Sequence, residues 1–346
     1  MKKSNYVVVD YFRIFAAILV VMIHIPPFKS FEIDGTIYTN IDFFISHVLA
    51  RIAVPFFFIA SGFFLFSGKT LDKKRTMRYL KKVLVLYVVW SILYIPFRLY
   101  DIGQTVGFTS ETIRMLVKEV LFISSYNHLW YLNALFYATA LILILTRFLK
   151  FKHVFILSVI LFLLGLAGDS YYGIFKELPV FSGILKYLLK TFYTTRNGFM
   201  FGFMFMMIGG GISYQKSIKS MPFMFIISFI LMIVETFILM RLEIARDYNM
   251  FIFLVPTSYF LFTWLISFKA NEKNTISVRN MSFLIYVSHM LFLEIFRRVL
   301  THNDWHLNKF YSPITLMVVL ISTTIFSYSV IKGSQKRFLS GLDILY

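Results

Sequence analysis

Apolar runs close to 20 residues long recur along the whole chain. They are separated by short segments rich in lysine, arginine, glycine or proline. A bilayer core about 30 Å thick takes about 20 apolar residues as a helix, so such runs read as membrane spans. Ten are predicted, near 9–27, 43–66, 83–100, 129–147, 153–168, 198–214, 221–241, 249–268, 281–299 and 312–331. Two connecting segments are too polar to span. Residues 110–125 (S-E-T-I-R-M-L-V-K-E-V-L-F-I-S-S) have the pattern of an amphipathic surface helix with Ser110 as N-cap. Residues 174–194 are mixed and read as an interfacial helix or a short re-entrant piece. The pattern predicts an all-α, polytopic integral-membrane helical bundle of about ten transmembrane helices, built as a single domain over residues 1–346.

Composition agrees. Of the 346 residues 58% are hydrophobic and 15% charged, against about 25% charged in a soluble domain. The absence of cysteine excludes disulfides, thiolate metal sites and a cysteine nucleophile. The net charge of +18 is distributed as a membrane would demand. With the N-terminus inside, the inner segments carry 20 basic residues and three acids (Asp72, Glu272, Asp343), and the outer ones 13 basic and 11 acidic residues. That bias predicts an N-in/C-in topology and accounts for the charge with no nucleic acid or other polyanion as partner. The basic run 73–82 (K-K-R-T-M-R-Y-L-K-K) reads as a contact with lipid headgroups, or as a dock for a phosphorylated cytosolic donor. The first apolar segment has no small-x-small cleavage site and carries Arg13, so a retained helix is expected. No HExxH, Walker or Rossmann pattern occurs in a credible setting, so neither a metal nor a nucleotide-binding fold is implied.

The charged residues within predicted spans include Asp10, Arg13, Arg51, Glu235 and Glu294. Ionisable groups at membrane depth are costly and mark functional cavities. On the first helix, D-Y-F-R-I-F-A-A-I-L-V-V-M-I-H, Arg13 and His24 are eleven residues apart. That is three turns plus about 20°, which puts both on one face about 16 Å apart along the axis. The bland alternative has Arg13 snorkelling to the inner headgroups and His24 sitting in the outer interface before Pro26-Pro27. On the second span Arg51 precedes Pro55 by four residues, which suggests a kink with a freed acceptor beside the guanidinium. Ser61-Gly62 suits close helix packing, and Gly209-Gly210-Gly211 suits packing or a kink. Trp130 and Tyr131 read as an aromatic belt or a substrate contact, and Arg196 could meet a polar substrate. Glu235 or Glu294 could orient His24 or Arg51, and Asp10 sits one turn from Arg13 and can pair with it.

Together these segments resemble the acyltransferase-3 family of bacterial integral-membrane enzymes. The likeness rests on the D-x-x-R-x-x-A start at Asp10, the arginine and histidine of the first span, R-x-x-x-P followed by S-G-F in the second, L-W-Y-L at 129–132, and S-F-L-I-Y-V-S-H at 282–289 with Tyr286 and His289. Within the family, A-R-I-A-V-P-F-F-F-I-A-S-G-F-F-L and T-R-N-G-F-M-F-G-F resemble the membrane domain of vancomycin-resistance serine/alanine racemases. The chain stops at Tyr346, so racemization itself is not expected of it.

The resemblance implies a membrane O-acyltransferase, most simply O-acetyl, in the bacterial cytoplasmic membrane. It would move an acyl group from acyl-CoA (acetyl-CoA) to a hydroxyl of a cell-surface glycan or carbohydrate. His24 would be the base, and Arg13 and Arg51 would hold the donor's phosphates or the developing oxyanion. Asp10, Pro55, Trp130, Arg196, Glu235, Tyr286, His289 and Glu294 are the supporting candidates. No metal is implied, and a separate partner protein to relay the acyl group is left open. The alternative is a carrier for a small polar molecule such as L-serine.

Overall fold

The computed structural model describes residues 6–34, 36–66, 71–105, 107–215, 221–268, 274–301 and 310–346. The basic loop residues Lys2, Lys3, Lys69, Lys216, Lys219, Lys269 and Lys273 lie outside them, as does Glu272. Seven of the expected spans fall in helices long and apolar enough to cross a membrane, and the other three in shorter apolar helices. No strand occurs among the described residues.

In chain order the helices are α1 (Val7–His24), α2 (Thr36–His47), α3 (Ala53–Leu65), α4 (Lys73–Thr105) and α5 (Ser110–Phe122). Then come α6 (Trp130–Leu145), α7 (Phe151–Ala167), the single turn α8 (Tyr172–Phe175), α9 (Pro179–Phe192) and α10 (Phe203–Tyr214). The last four are α11 (Pro222–Arg241), α12 (Leu254–Ser267), α13 (Ile276–Thr301) and α14 (Tyr311–Ser334). A π-helical turn, Gly198–Gly202, leads into α10, and 3₁₀ segments occupy Lys29–Asp34, Leu49–Ile52 and Arg337–Leu345.

The chain forms two compact units. The first joins residues 1–54 to 268–346 and holds α1, α2, α13 and α14. Here α1 packs along α13, and α13 along α14. The closing 3₁₀ segment returns onto α14, with the Tyr346 hydroxyl 2.6 Å from Ser334 Oγ. The second unit is residues 55–267. In it α3 and α10 meet at glycines: a Cβ on Gly62 would lie 2.0 Å from the Met206 carbonyl oxygen, and one on Gly209 2.0 Å from that of Ile59. Only a residue without a side chain lets two backbones come this close. The expected packing role of both glycines is met here, and Ser61 accepts from the Tyr79 hydroxyl at 3.1 Å.

The outward faces are apolar, as lipid requires. On α4, Leu84, Val88, Ile92, Ile95 and Leu99 are exposed at helical spacing, and on α14 Met317, Ile321, Ile325 and Tyr328 are. Hydroxyls inside the bundle bond back to their own helices: Ser288 donates to the Leu284 carbonyl at 2.7 Å, Thr323 to Val319 at 2.8 Å and Ser327 to Thr323 at 2.6 Å.

Two local expectations are corrected. The N-cap of α5 is Thr109, whose hydroxyl oxygen accepts from the Thr112 amide at 3.1 Å, rather than Ser110. An N-cap must lie before the first helical residue, and Ser110 is already helical. In the second span the break falls at the 3₁₀ turn Leu49–Ile52, which contains Arg51. Pro55 is the third residue of α3, in a first turn where an amide hydrogen would have no helical acceptor anyway. Of the undecided segment 174–194, most is the helix α9, Pro179–Phe192. The surface helix α5 is fastened at its C-terminal end: the Tyr87 hydroxyl donates to the Val120 carbonyl at 2.6 Å and Asn133 Nδ2 to Leu121 at 3.1 Å.

Candidate active site

The first unit gathers seven of the candidate residues. Near the start of α1, buried Asp10 accepts a hydrogen bond from the Thr275 hydroxyl, just ahead of α13. Its carboxylate also lies 3.4 Å from Arg13 Nε and 3.9 Å from Arg279 Nε. Asp10 thus holds Arg13 one turn along its own helix and ties α1 to the beginning of α13. Arg13 is mostly buried and Arg279 about half exposed, so the pair presents two cations beside one acid at this end of the unit.

At the other end of α1 the His24 ring lies 5.2 Å from that of His289 on α13. His289 is fully buried, and its Nδ1 is 2.5 Å from the Tyr286 carbonyl oxygen. A carbonyl can only accept, so Nδ1 carries the hydrogen and the neutral ring presents Nε2 as its basic nitrogen. The contribution of Tyr286 to this bond is therefore its backbone. Asp10 and Thr275 meet at one end, His24 and His289 at the other, and each pair is fourteen residues from its counterpart on the same helix. The helices α1 and α13 are parallel neighbours in matched register.

His24 also borders a cavity of about 330 Å³ whose wall includes Lys29, Ser30, Arg297, Tyr311 and Ser312. The wall is held in place by short local bonds. The Ser30 amide donates to Ser312 Oγ and the Ser312 amide to Ser30 Oγ, both at 3.1 Å, which locks the 3₁₀ turn Lys29–Asp34 to the start of α14. The Phe28 amide donates to both oxygens of buried Asp42, at 3.0 and 3.2 Å. Glu294 sits one turn from Arg297 and Arg298, 4.0 Å from each. Arg51 donates from Nη2 to Nδ1 of His47 at 2.9 Å. An arginine has no acceptor, so this nitrogen of His47 is bare and the ring is oriented by the guanidinium.

The second unit holds Pro55, Trp130, Arg196 and Glu235. It brings Arg196 and Trp130 together: the guanidinium lies over the indole at 4.4 Å and donates to Asn249 Oδ1 at 2.9 Å. Asn249 in turn donates through Nδ2 at 3.0 Å to Asp169, whose carboxylate also receives the Asn249 and Met250 amides and the Ser170 hydroxyl. Glu235 is taken up by the same region. It accepts from the Tyr171 hydroxyl at 2.6 Å and from the amides of Ile252 and Phe253 at 2.7 and 2.9 Å, and so closes the turn before α12. Burial, then the Glu235 carboxylate it donates to, pushes the Tyr171 phenol up, so it remains a donor in alkaline solution. At the start of α4, Lys73, Lys74, Arg78 and Arg147 flank a hollow of about 490 Å³.

Sequence reasoning missed Lys29, His47, Thr275, Arg279 and Arg297. Lys29 carried a faint signal, five residues beyond His24 and past the Pro26-Pro27 break. His47 and Arg297 each stand one helical turn from a candidate, Arg51 and Glu294, a spacing the sequence did show. Thr275 and Arg279 are brought in by the packing of α13 on α1, and no spacing along the chain announces them.

A family model described as an acyltransferase domain, of the acyltransferase-3 type, matches residues 6–332. Among curated proteins the chain is similar to an amino-acid racemase of Enterococcus faecalis, 32% identical over 79% of this chain and 37% of the racemase. It is similar also to a serine/alanine racemase of Enterococcus gallinarum, 32% identical over 75% of this chain and 37% of that protein. A second amino-acid racemase of Enterococcus faecalis is 31% identical over 83% of this chain and 41% of its own length. The chain thus matches about two fifths of the length of these relatives. No solved structure matches it. The match over nearly all of its residues, on a helical fold with many apolar membrane-length helices, shows that the chain belongs to the acyltransferase-3 family of multi-pass membrane transferases.

Proposed function

We propose that the chain is an O-acyltransferase of the bacterial cytoplasmic membrane that moves an acyl group, most simply acetyl, from acyl-CoA to a hydroxyl of a cell-surface glycan or related carbohydrate. The observation that carries this reading is the helix α1. It has a cation cluster around Asp10 and Arg13 at one end, and at the other a histidine that borders a polar cavity. The charge bias along the chain supports the first end inside and the second outside. Donor chemistry needs cations for its phosphates, and acceptor chemistry needs a base.

In this reading His24 takes the proton of the acceptor hydroxyl as its oxygen attacks the thioester carbonyl. The new carbon–oxygen bond forms, the carbon–sulfur bond breaks, and the CoA thiolate leaves and takes up a proton. Arg13 and Arg51 hold the donor phosphates or the charge that develops on the carbonyl oxygen. His289, with its tautomer set by the Tyr286 carbonyl, keeps the His24 ring in position. The hollow beside Lys73 and Arg147 suits lipid headgroups at the inner surface.

The test is transfer of radiolabel from acetyl-CoA into extractable surface glycan by membranes with wild-type protein or His24→Ala. Loss of a general base costs about 10²–10⁴-fold in rate, so label should all but vanish from the folded variant. Undiminished transfer would end the proposal. A carrier of a small polar molecule such as L-serine is the second reading, favoured by the likeness to a serine/alanine racemase. Protein-dependent L-serine uptake that survives His24→Ala, with no label transfer by either protein, would favour it.

A further inference from the structure

We infer that the cavity beside His24 selects an acceptor that is itself anionic, a polyol whose carboxylate or phosphate lies close to the hydroxyl to be acylated. This rests on the acyltransferase reading for the role of His24, but the charge argument stands separately. The cavity of about 330 Å³ is of the size that holds a sugar unit rather than a lipid chain. Its wall carries two cationic side chains, Lys29 and Arg297. They come from two different elements: Lys29 from the 3₁₀ turn that follows α1, and Arg297 from the last two turns of α13. Both are exposed rather than buried in the bundle. Tyr311 and Ser312 add the first turn of the 24-residue helix α14, whose amide end favours negative charge.

The described acids nearby do not cancel this. Asp42 is buried under the backbone amide of Phe28, and Glu294 stands between Arg297 and Arg298 at 4.0 Å from each, so one acid faces two arginines. Neither acid lines the cavity. A neutral glycan would gain only ordinary hydrogen bonds from Lys29 and Arg297, whereas a carboxylate or phosphate would gain the stronger charge-assisted kind from both. His24 stands on the same wall, so an anion held between the two cations would bring the neighbouring hydroxyl to the base.

The test uses the full chain in nanodiscs of zwitterionic phospholipid. Its unfolding midpoint is titrated at constant ionic strength with glucuronate, glycerol 3-phosphate and glucose, a ligand of the folded state raising the midpoint by mass action. Wild type should respond to at least one anion at about tenfold lower concentration than to glucose, the size of effect expected for charge-assisted bonds. Which anion acts tells a carboxylate acceptor from a phosphate one. K29Q/R297Q should lose the preference, while K186Q, a charge change on the exposed face of α9, should keep it. An equal response to glucose, or an anion preference unchanged in K29Q/R297Q, would overturn the inference. An anion response without any acetyl transfer would instead count against the acyltransferase reading and leave the anion site standing.

Discussion

His289 is the residue on which the geometry near His24 turns. It is fully buried, it is fixed by a backbone carbonyl, and its ring is the aromatic neighbour of His24 across α1 and α13. A residue that acts by positioning should affect turnover more than acceptor binding. His289→Asn keeps a donor for the Tyr286 carbonyl but removes the ring, so we expect kcat to fall by about 10²-fold with KM changed little. A steady-state comparison at matched expression decides it, and a change confined to KM would assign His289 to acceptor binding instead. Residues of this type were only half legible in the sequence. The S-F-L-I-Y-V-S-H segment drew notice to His289, but a histidine 265 residues beyond His24 gives no sign of lying against it. Lys29 and Arg297 are further cases: one is an ordinary loop cation and the other a cation at the end of the predicted span 281–299 until the fold brings the two to one cavity.

At the scale of elements, the spans were legible because a run of apolar residues near 20 long has few other uses. Their breaks were less so. Pro55 pointed to a disturbance of the second span, but a helix can begin just before a proline as easily as it can bend at one, and here it begins. The pairing of α1 with α13 was not legible at all, since lipid-facing and protein-facing apolar residues look alike. That pairing makes a sharp prediction. One alanine inserted after Ala17 advances His24 by about 1.5 Å and turns it by about 100° relative to Asp10. It should abolish label transfer. A second alanine inserted after Leu284, between Thr275 and His289, shifts the partner helix equally and should restore part of the activity. Full activity in the single insertion would mean that the register of the two helices is of no account.

For the whole molecule, the charge distribution predicts an orientation that can be checked directly, because the sequence contains no cysteine. In Lys176→Cys the thiol should react in intact cells with a maleimide that does not cross membranes, and in Lys152→Cys only after lysis. The reverse pattern would invert the topology, and with it the assignment of donor and acceptor ends to α1. The unit with the two histidines is also discontinuous, made from the first 54 residues and the last 79 (268–346), with 55–267 inserted between. This has a consequence for biosynthesis. At about 5–20 residues per second α1 leaves the ribosome on the order of ten seconds or more before α13 exists. Throughout that interval a helix with an acid and an arginine in its apolar sequence must remain in the bilayer without the partner that later covers Asp10. The one-turn spacing of Asp10 and Arg13 lets the two charges shelter each other until Thr275 arrives. The newly made chain thus carries its own temporary counter-ion, and the end of α1 that holds His24 meets its partner helix only after α13 has been made.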